Sequence, residues 1–169
     1  MALTYGCKRT RTRPAVARKE GQLRSPRTLG DCYDSRSVIL YGRVVEQSID
    51  HHQVASFKKE VVVTAGVPLA MVRKRLAGAE ATRAPVLLIH GFGQNRYAWH
   101  LPSRSFSNYL AAAGFDVFNL DLRGHGRSHK LGGIRSRGAH CYVEEDLPQA
   151  VAEVRALSGG RPVFLVGHS

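Results

Sequence analysis

The residues with the clearest chemical potential are the last three of the chain, Gly167-His168-Ser169. They follow an apolar run at 163–166, and a run this short between a proline and a glycine predicts a strand buried on both faces. A serine placed directly after such a strand can act as a nucleophile in acyl transfer, because a sharp turn from strand to helix lifts its hydroxyl clear of the sheet. Ser169 is therefore the candidate nucleophile. Gly167 is where a missing Cβ would let that strand and the next helix approach closely.

Gly-x-Ser also occurs by chance, and Ser169 alone could be an ordinary serine at a strand end. Two blocks upstream favour the chemical interpretation. The run 86–89 leads into His90-Gly91-Phe92-Gly93, and the run 115–122 leads into a glycine-rich segment, 123–128. The run 86–89 is continuously apolar, which is typical of a parallel strand covered on both faces. Helical periodicity follows each of these two strands, so the alternation predicts a parallel sheet with right-handed crossovers.

The first predicted helix begins at a Ser103 or Ser105 cap and ends at Gly114, a left-handed C-terminal residue. Its expected buried stripe consists of Phe106, Tyr109, Leu110 and Ala113. The second helix starts near Val143, with acidic residues at 144–146 favoured by the helix dipole and with Pro148 tolerable only in the first turn. Its expected apolar face is Val143, Leu147, Ala150, Val151, Val154 and Leu157.

Ahead of these blocks, β-branched residues and turn chemistry predict a hairpin over 57–76. Residues 37–45 are compatible with a strand or a helix. Residues 123–138, rich in glycine, predict a long flexible loop.

In this order, the three blocks resemble the N-terminal half of an α/β-hydrolase of the lipase, esterase and acyltransferase group. The resemblance covers 57–169, and within it 95–128 is similar to acid-lipase and polyhydroxyalkanoate-synthase-like members. It implies an α/β fold: a mostly parallel sheet with an N-terminal antiparallel hairpin and the strand order 1-2-4-3-5-6-7-8. Strands 1–5 would fall in this chain, with residues 1–56 forming a basic, largely disordered segment and residues 57–169 half of a domain truncated at Ser169.

The resemblance also implies roles for the site residues. Phe92 would donate its backbone N–H to the oxyanion, Gly91 and Gly93 would let the backbone approach the substrate, and His90 would hold this loop by hydrogen bonds. The second donor, the catalytic acid and the catalytic histidine would all lie beyond Ser169. His125, His129, His140 and His168 are then not the base. Asp121 and Arg123 are expected to pair locally, and Trp99 and Phe92 to line an acyl pocket or to belong to the core.

The expected activity is that of a serine hydrolase acting on carboxylic esters or related small acyl compounds, with no cofactor. An acyltransferase or polymer-synthase-like relative is one alternative, although serine at the elbow counts against the synthase. A non-catalytic binding module of the same fold is another. The strand that ends at Ser169 should be central in the complete fold, so these 169 residues alone are expected to be a fragment that is insoluble or molten and inactive.

The formal net charge is +12, but much of the excess lies in the N-terminal segment, where eight basic residues between Lys8 and Arg27 face one acid, Glu20. This distribution argues against nucleic acid as a partner. No apolar run has membrane-spanning length. Cys7, Cys32 and Cys141 form no C-x-x-C pair, and the eight histidines show no metal spacing, so we expect no metal and a cytoplasmic location. An organellar location is the alternative if the arginine-rich N-terminus is a transit peptide.

Overall fold

Six strands form one mixed sheet in the computed structural model, which describes residues 38–132 and 138–169. In chain order they are β1 (Val38–Ser48), β2 (Val54–Val63), β3 (Ala70–Leu76), β4 (Pro85–Ile89), β5 (Asp116–Asp121) and β6 (Phe164–Gly167). Their order across the sheet is β1-β2-β3-β5-β4-β6. β4 is parallel to both β5 and β6, whereas the pairs from β1 through β3 to β5 are antiparallel. The predicted α/β class and N-terminal antiparallel hairpin are confirmed.

The sheet begins before residue 57, where the sequence predicted the folded part to start. β1 pairs along the whole of β2, from Val38 opposite Val63 to Ser48 opposite Val54. The described residues therefore hold one strand more than the five expected. β1 is mostly exposed and carries charges among its apolar residues, so its sequence lacks the pattern of a half-buried strand. Residues 1–37, for which the sequence predicts disorder, lie outside the described residues. Cys7 and Cys32 are among them.

The helical elements connect and cover the strands. They are a 3₁₀ turn (Arg96–Trp99), α1 (Phe106–Ala112), α2 (Gly126–Lys130), α3 (Ala139–Cys141), a π turn (Tyr142–Asp146) and α4 (Leu147–Leu157). None of these helices, within the part of the chain that the structure describes, is long and apolar enough to span a bilayer.

The ends of α1 are as predicted, but its buried face is not. The Ser105 hydroxyl accepts the Asn108 N–H at 3.1 Å, and Gly114 ends the helix with φ +90°. Phe106 and Tyr109 are nevertheless exposed, while the buried residues are Ser107, Asn108 and Ala111. The polar Asn108 can be buried because it hydrogen-bonds to the carbonyl of Ser48 and to Lys74.

The segments on either side of 133–137 also differ in part from expectation. Residues 123–138 were predicted as a loop, but α2 occupies part of this range, and 133–137 lie outside the described residues. Pro148 stands at the start of α4, as its missing N–H requires. On the second predicted helix face, Ala150 and Val154 are fully buried, whereas Val143, which lies in the π turn before α4, is exposed.

The core has two halves, one on each face of the sheet. Along β4 and β5, alternate side chains point to opposite faces. Leu87 and Phe118 join α4 on one face, and Leu88 and Val117 join α1 on the other. The central strands are therefore covered on both sides, which is why β4 is continuously apolar. β5 also buries Asp116, Asn119 and Asp121, each of which has a hydrogen-bond partner. β6 was expected to be buried as well, yet Phe164 and Leu165 are exposed because no described strand or helix covers them.

Candidate active site

The predicted site residues lie at the adjacent ends of β4 and β6. The parallel ladder ends with Ile89 opposite Gly167, so His90-Gly91 and His168-Ser169 leave the sheet side by side. A Cβ atom on Gly91 would lie 3.1 Å from both the His168 carbonyl oxygen and the Ser169 carbonyl carbon. A Cβ on Gly167 would meet its nearest described neighbour, the Ile89 carbonyl oxygen, at an ordinary 3.8 Å. Among the described residues, the close approach therefore requires glycine at 91 and not at 167.

A tight turn shapes the loop that follows β4. The Gln94 N–H donates to the Gly91 carbonyl at 3.2 Å, and Gly93, with φ +73°, supplies the left-handed residue that such a turn requires. Phe92 stands between these two glycines with its side chain 91% exposed. Its amide N–H has no acceptor among the described residues and so remains available to a ligand.

His90 joins this loop to the end of β5. One ring nitrogen, Nδ1, donates to the Gly91 carbonyl at 2.9 Å, and the other, Nε2, accepts the Leu122 N–H at 3.1 Å. These partners require the neutral tautomer protonated at Nδ1, and burial lowers the pKa of His90 below its usual value. Because both nitrogens are occupied, the ring orders the loop and has no lone pair left with which to act as a base.

A second set of contacts centres on the buried carboxylate of Asp121. It accepts the N–H groups of Arg96 and Arg127, each at 2.9 Å, and it pairs with the Arg96 guanidinium. The expected pairing of Asp121 with Arg123 is therefore wrong. Arg123 binds instead to Asp146, with 2.6 Å between Nη2 and Oδ1, because the π turn carries that carboxylate against it. The pairing of Asp121 with Arg96 could not be predicted, because the two residues are far apart in the sequence and no local pattern links them.

Trp99 contacts both the core and a cavity. Its ring packs against the core on the α1 face, and it also lines a cavity of about 400 Å³ together with apolar residues that include Leu101 and Phe106. The ring lies 5.0 Å from that of His168, in an edge-on arrangement. Trp99 thus contacts both the cavity and the residue that precedes Ser169, although neither His168 nor Ser169 lines the cavity. Phe92 is not among its lining residues.

No group of three or more His, Cys, Asp or Glu side chains within 38–132 and 138–169 could hold a metal ion. Cys141 is a buried free thiol.

The comparison with protein families bears on residues 84–169, which match the family model described as "alpha/beta hydrolase fold". This match spans half of the chain and includes β4, β5 and β6. The chain belongs to the α/β-hydrolase fold family. The observed order of β2, β3, β5, β4 and β6 is the 1-2-4-3-5 order of this family, with β1 added at the edge.

Individual relatives have several activities. Epoxide hydrolase B of Mycobacterium tuberculosis is 35% identical over 85 residues, which are 49% of this chain and 21% of the relative. Human Lipase member M is 30% identical over 129 residues, 71% of this chain and 30% of the relative. A solved cold-adapted esterase from an Arctic intertidal metagenomic library is similar at a TM-score of 0.44 and 19% identity, over 73% of this chain and 55% of that structure. The chain thus spans a third or less of the length of these curated relatives.

Proposed function

We propose that this chain provides the nucleophile and the oxyanion loop of a serine hydrolase that acts on carboxylic esters. Ser169 Oγ attacks the acyl carbon, and the Phe92 N–H binds the oxygen that becomes negatively charged. Collapse of this intermediate expels the alcohol and leaves an acyl-serine, which water hydrolyses. The second N–H donor, the acid and the histidine are expected from residues that follow Ser169 in the full-length protein.

The observation that carries the proposal is the contact between Gly91 and the backbone of His168 and Ser169. It supports a site in which the nucleophile and an amide donor without an acceptor among the described residues are neighbours. His90 supports the same interpretation, because its two hydrogen bonds order the loop that carries the donor. The loop is thus prepared before substrate binds, which is what electrostatic stabilisation of a transition state requires.

The nucleophile's chemistry favours esters over the epoxides named for one relative. A serine that opened an epoxide would be left as a stable ether, which water does not readily cleave. A serine that attacks an ester becomes an acyl-enzyme, which water can hydrolyse. The cavity beside Trp99 further favours an acyl group with an apolar chain, because its lining is mostly apolar and its volume of about 400 Å³ is that of a small-ligand pocket.

The test is covalent labelling of the full-length protein with alkyl fluorophosphonates, followed by peptide mass spectrometry. An activated serine displaces fluoride, so we expect a single phosphonyl adduct on Ser169. A probe with a longer alkyl chain should label faster than a methyl probe, because the cavity can hold the chain.

Ser169→Ala should abolish both labelling and ester hydrolysis, whereas Ser103→Ala, at an exposed serine, should change neither. Labelling that persists in Ser169→Ala would contradict the assignment. A folded wild-type protein that is never labelled would favour the non-catalytic binding module.

A further inference from the structure

A second, smaller cavity of about 160 Å³ lies against the sheet, away from Ser169. Its floor comes from β1, β2, β3 and β5, and the 3₁₀ turn closes one side. The side chains that define its chemistry are Gln47, Lys59, Lys74, Arg96 and Asn119. None of the described residues that line it is acidic.

The cavity concentrates positive charge. Lys59 and Lys74 stand directly opposite each other in the β2–β3 ladder, and like charges in this position repel. Neither lysine forms an ion pair within the described residues, whereas Arg96 is paired with Asp121. Lys74 is only 2% exposed, and its Nζ donates to Asn108 Oδ1 at 2.6 Å and lies 3.5 Å from His100 Nδ1. The described residues supply no anion to this ammonium group, and burying an ammonium without a counter-charge costs free energy.

Two acceptors of the same cavity lack donors. Asn119 Oδ1 and Gln47 Oε1 are buried and have no hydrogen-bond partner among the described residues. The orientation of Asn119 is fixed, because its Nδ2 donates to the Arg96 carbonyl at 2.9 Å. The cavity therefore offers cationic donors together with amide oxygens that can only accept.

We propose that this cavity binds a small oxyanion that still carries a proton, hydrogen phosphate being the best match. The charged oxygens would accept from Lys59 and Lys74, and the remaining O–H would donate to a carboxamide oxygen. The volume admits free phosphate or the terminal phosphate of a small metabolite. This inference is independent of the chemistry proposed for Ser169.

The test is isothermal titration calorimetry on the full-length protein in phosphate-free buffer at constant ionic strength. The three ligands to titrate are inorganic phosphate, inorganic sulfate and glycerol phosphate. We expect saturable binding of phosphate and weaker binding of sulfate, which has the charge but no O–H at neutral pH. Glycerol phosphate binding as tightly as phosphate would assign the site to a terminal phosphate group, and its failure to bind would assign the site to the free ion.

Lys59→Gln should weaken phosphate binding by about tenfold or more, since it removes a charged hydrogen bond. Lys74→Met should abolish binding. Lys58→Gln is the matched control, because Lys58 is the preceding residue of β2, is exposed and pairs with Glu60. The proposal is overturned if the wild type shows no saturable binding, or if Lys59→Gln and Lys58→Gln bind phosphate equally. Equal affinity for sulfate and phosphate would overturn the hydrogen bond from the phosphate O–H to a carboxamide oxygen.

Discussion

His90 and Lys74 are both buried titratable side chains, but their surroundings differ. Both ring nitrogens of His90 have backbone partners, so the neutral ring is fully satisfied. Lys74 makes one short hydrogen bond to an amide oxygen and has no described carboxylate beside it. His90 therefore stabilises the loop through its two hydrogen bonds. Lys74, when charged, lowers the stability of the folded protein as long as no anion is bound.

The pH dependence of stability should show this cost. Burial, with Lys59 and Arg96 nearby, lowers the pKa of Lys74 from 10.5 to about 7. Between these values the unfolded chain holds the extra proton, so the free energy of unfolding should rise with pH across this window, by roughly 3 to 5 kcal/mol. Below about pH 7, both states are protonated and the full penalty remains. Urea denaturation at a series of pH values in phosphate-free buffer measures the rise.

Lys74→Met removes this group and should flatten most of this part of the profile; the rise that remains comes from Lys59, whose pKa burial also lowers. The exposed Lys58→Met should leave the profile unchanged. His100, which faces Lys74, does not interfere, because burial lowers its pKa from 6.5 to about 4 and it titrates well below the window. A wild-type profile that is already flat between pH 7 and 10 would contradict the buried, uncompensated state of Lys74.

At the scale of elements, Asp121 holds three pieces together: the end of β5, the 3₁₀ turn and α2. Gly126 opens α2 with φ +47°, and a Cβ at this position would overlap the Asp121 carboxylate. The carboxylate cannot move away without losing its N–H partners. The first residue of α2 must therefore be glycine for the helix to begin this close to Asp121.

Gly126→Ala should destabilise the protein by about 3 kcal/mol or more, because it combines left-handed strain with a clash against a buried, bonded group. Gly78→Ala is the matched control, with φ +78° and open space around the added methyl, and should cost only about 1 kcal/mol. Chemical denaturation of both variants makes the comparison. Equal losses would mean that strain alone matters at Gly126.

The elements that were predictable are those whose sequences carry one strong pattern. β4 is continuously apolar because both of its faces are covered, and α1 is capped by Ser105 and followed by Gly114 as predicted. β1 could not be assigned, since an exposed edge strand needs no regular alternation. The face of α1 was misassigned because Asn108 is buried by hydrogen bonds to distant residues, which a hydrophobic pattern does not contain.

The site shows the same division. Ser169, Gly91 and His90 could be predicted to lie near one another because they follow strands of one parallel sheet, whose ends meet at the same edge. Their chemical roles stay predictions. The partners of Asp121 and Arg123 were missed because they are set by tertiary packing of the 3₁₀ turn and the π turn. The cationic cavity was missed for a related reason: Lys59 and Lys74 become neighbours only through the register of the β2–β3 hairpin.

For the whole molecule, the two edges of the described sheet differ. β1 has a register irregularity between Ile39 and Tyr41 and carries charges, both of which hinder pairing with another chain. β6 has neither protection. Phe164 and Leu165 are 61% and 54% exposed, and the strand contains no charge.

The 169-residue chain expressed alone should therefore self-associate through β6. Phe164→Lys should raise the monomer fraction in sedimentation velocity, because a charge at an exposed edge opposes strand pairing. Val44→Lys, equally exposed on β1, should have a much smaller effect. A wild-type chain that is monomeric at all concentrations, or a larger effect of Val44→Lys, would contradict this assignment.

Trp99 is the single tryptophan of the sequence, and its ring lies against that of His168, next to Ser169. Within these 169 residues, tryptophan emission therefore arises at one place, a ring that lines the apolar cavity and contacts His168. Indole emission depends on the distance to a neighbouring imidazole and on exposure to water. The wavelength and intensity of this emission thus report on the proposed site without an added label, and they can follow the filling of the cavity in real time.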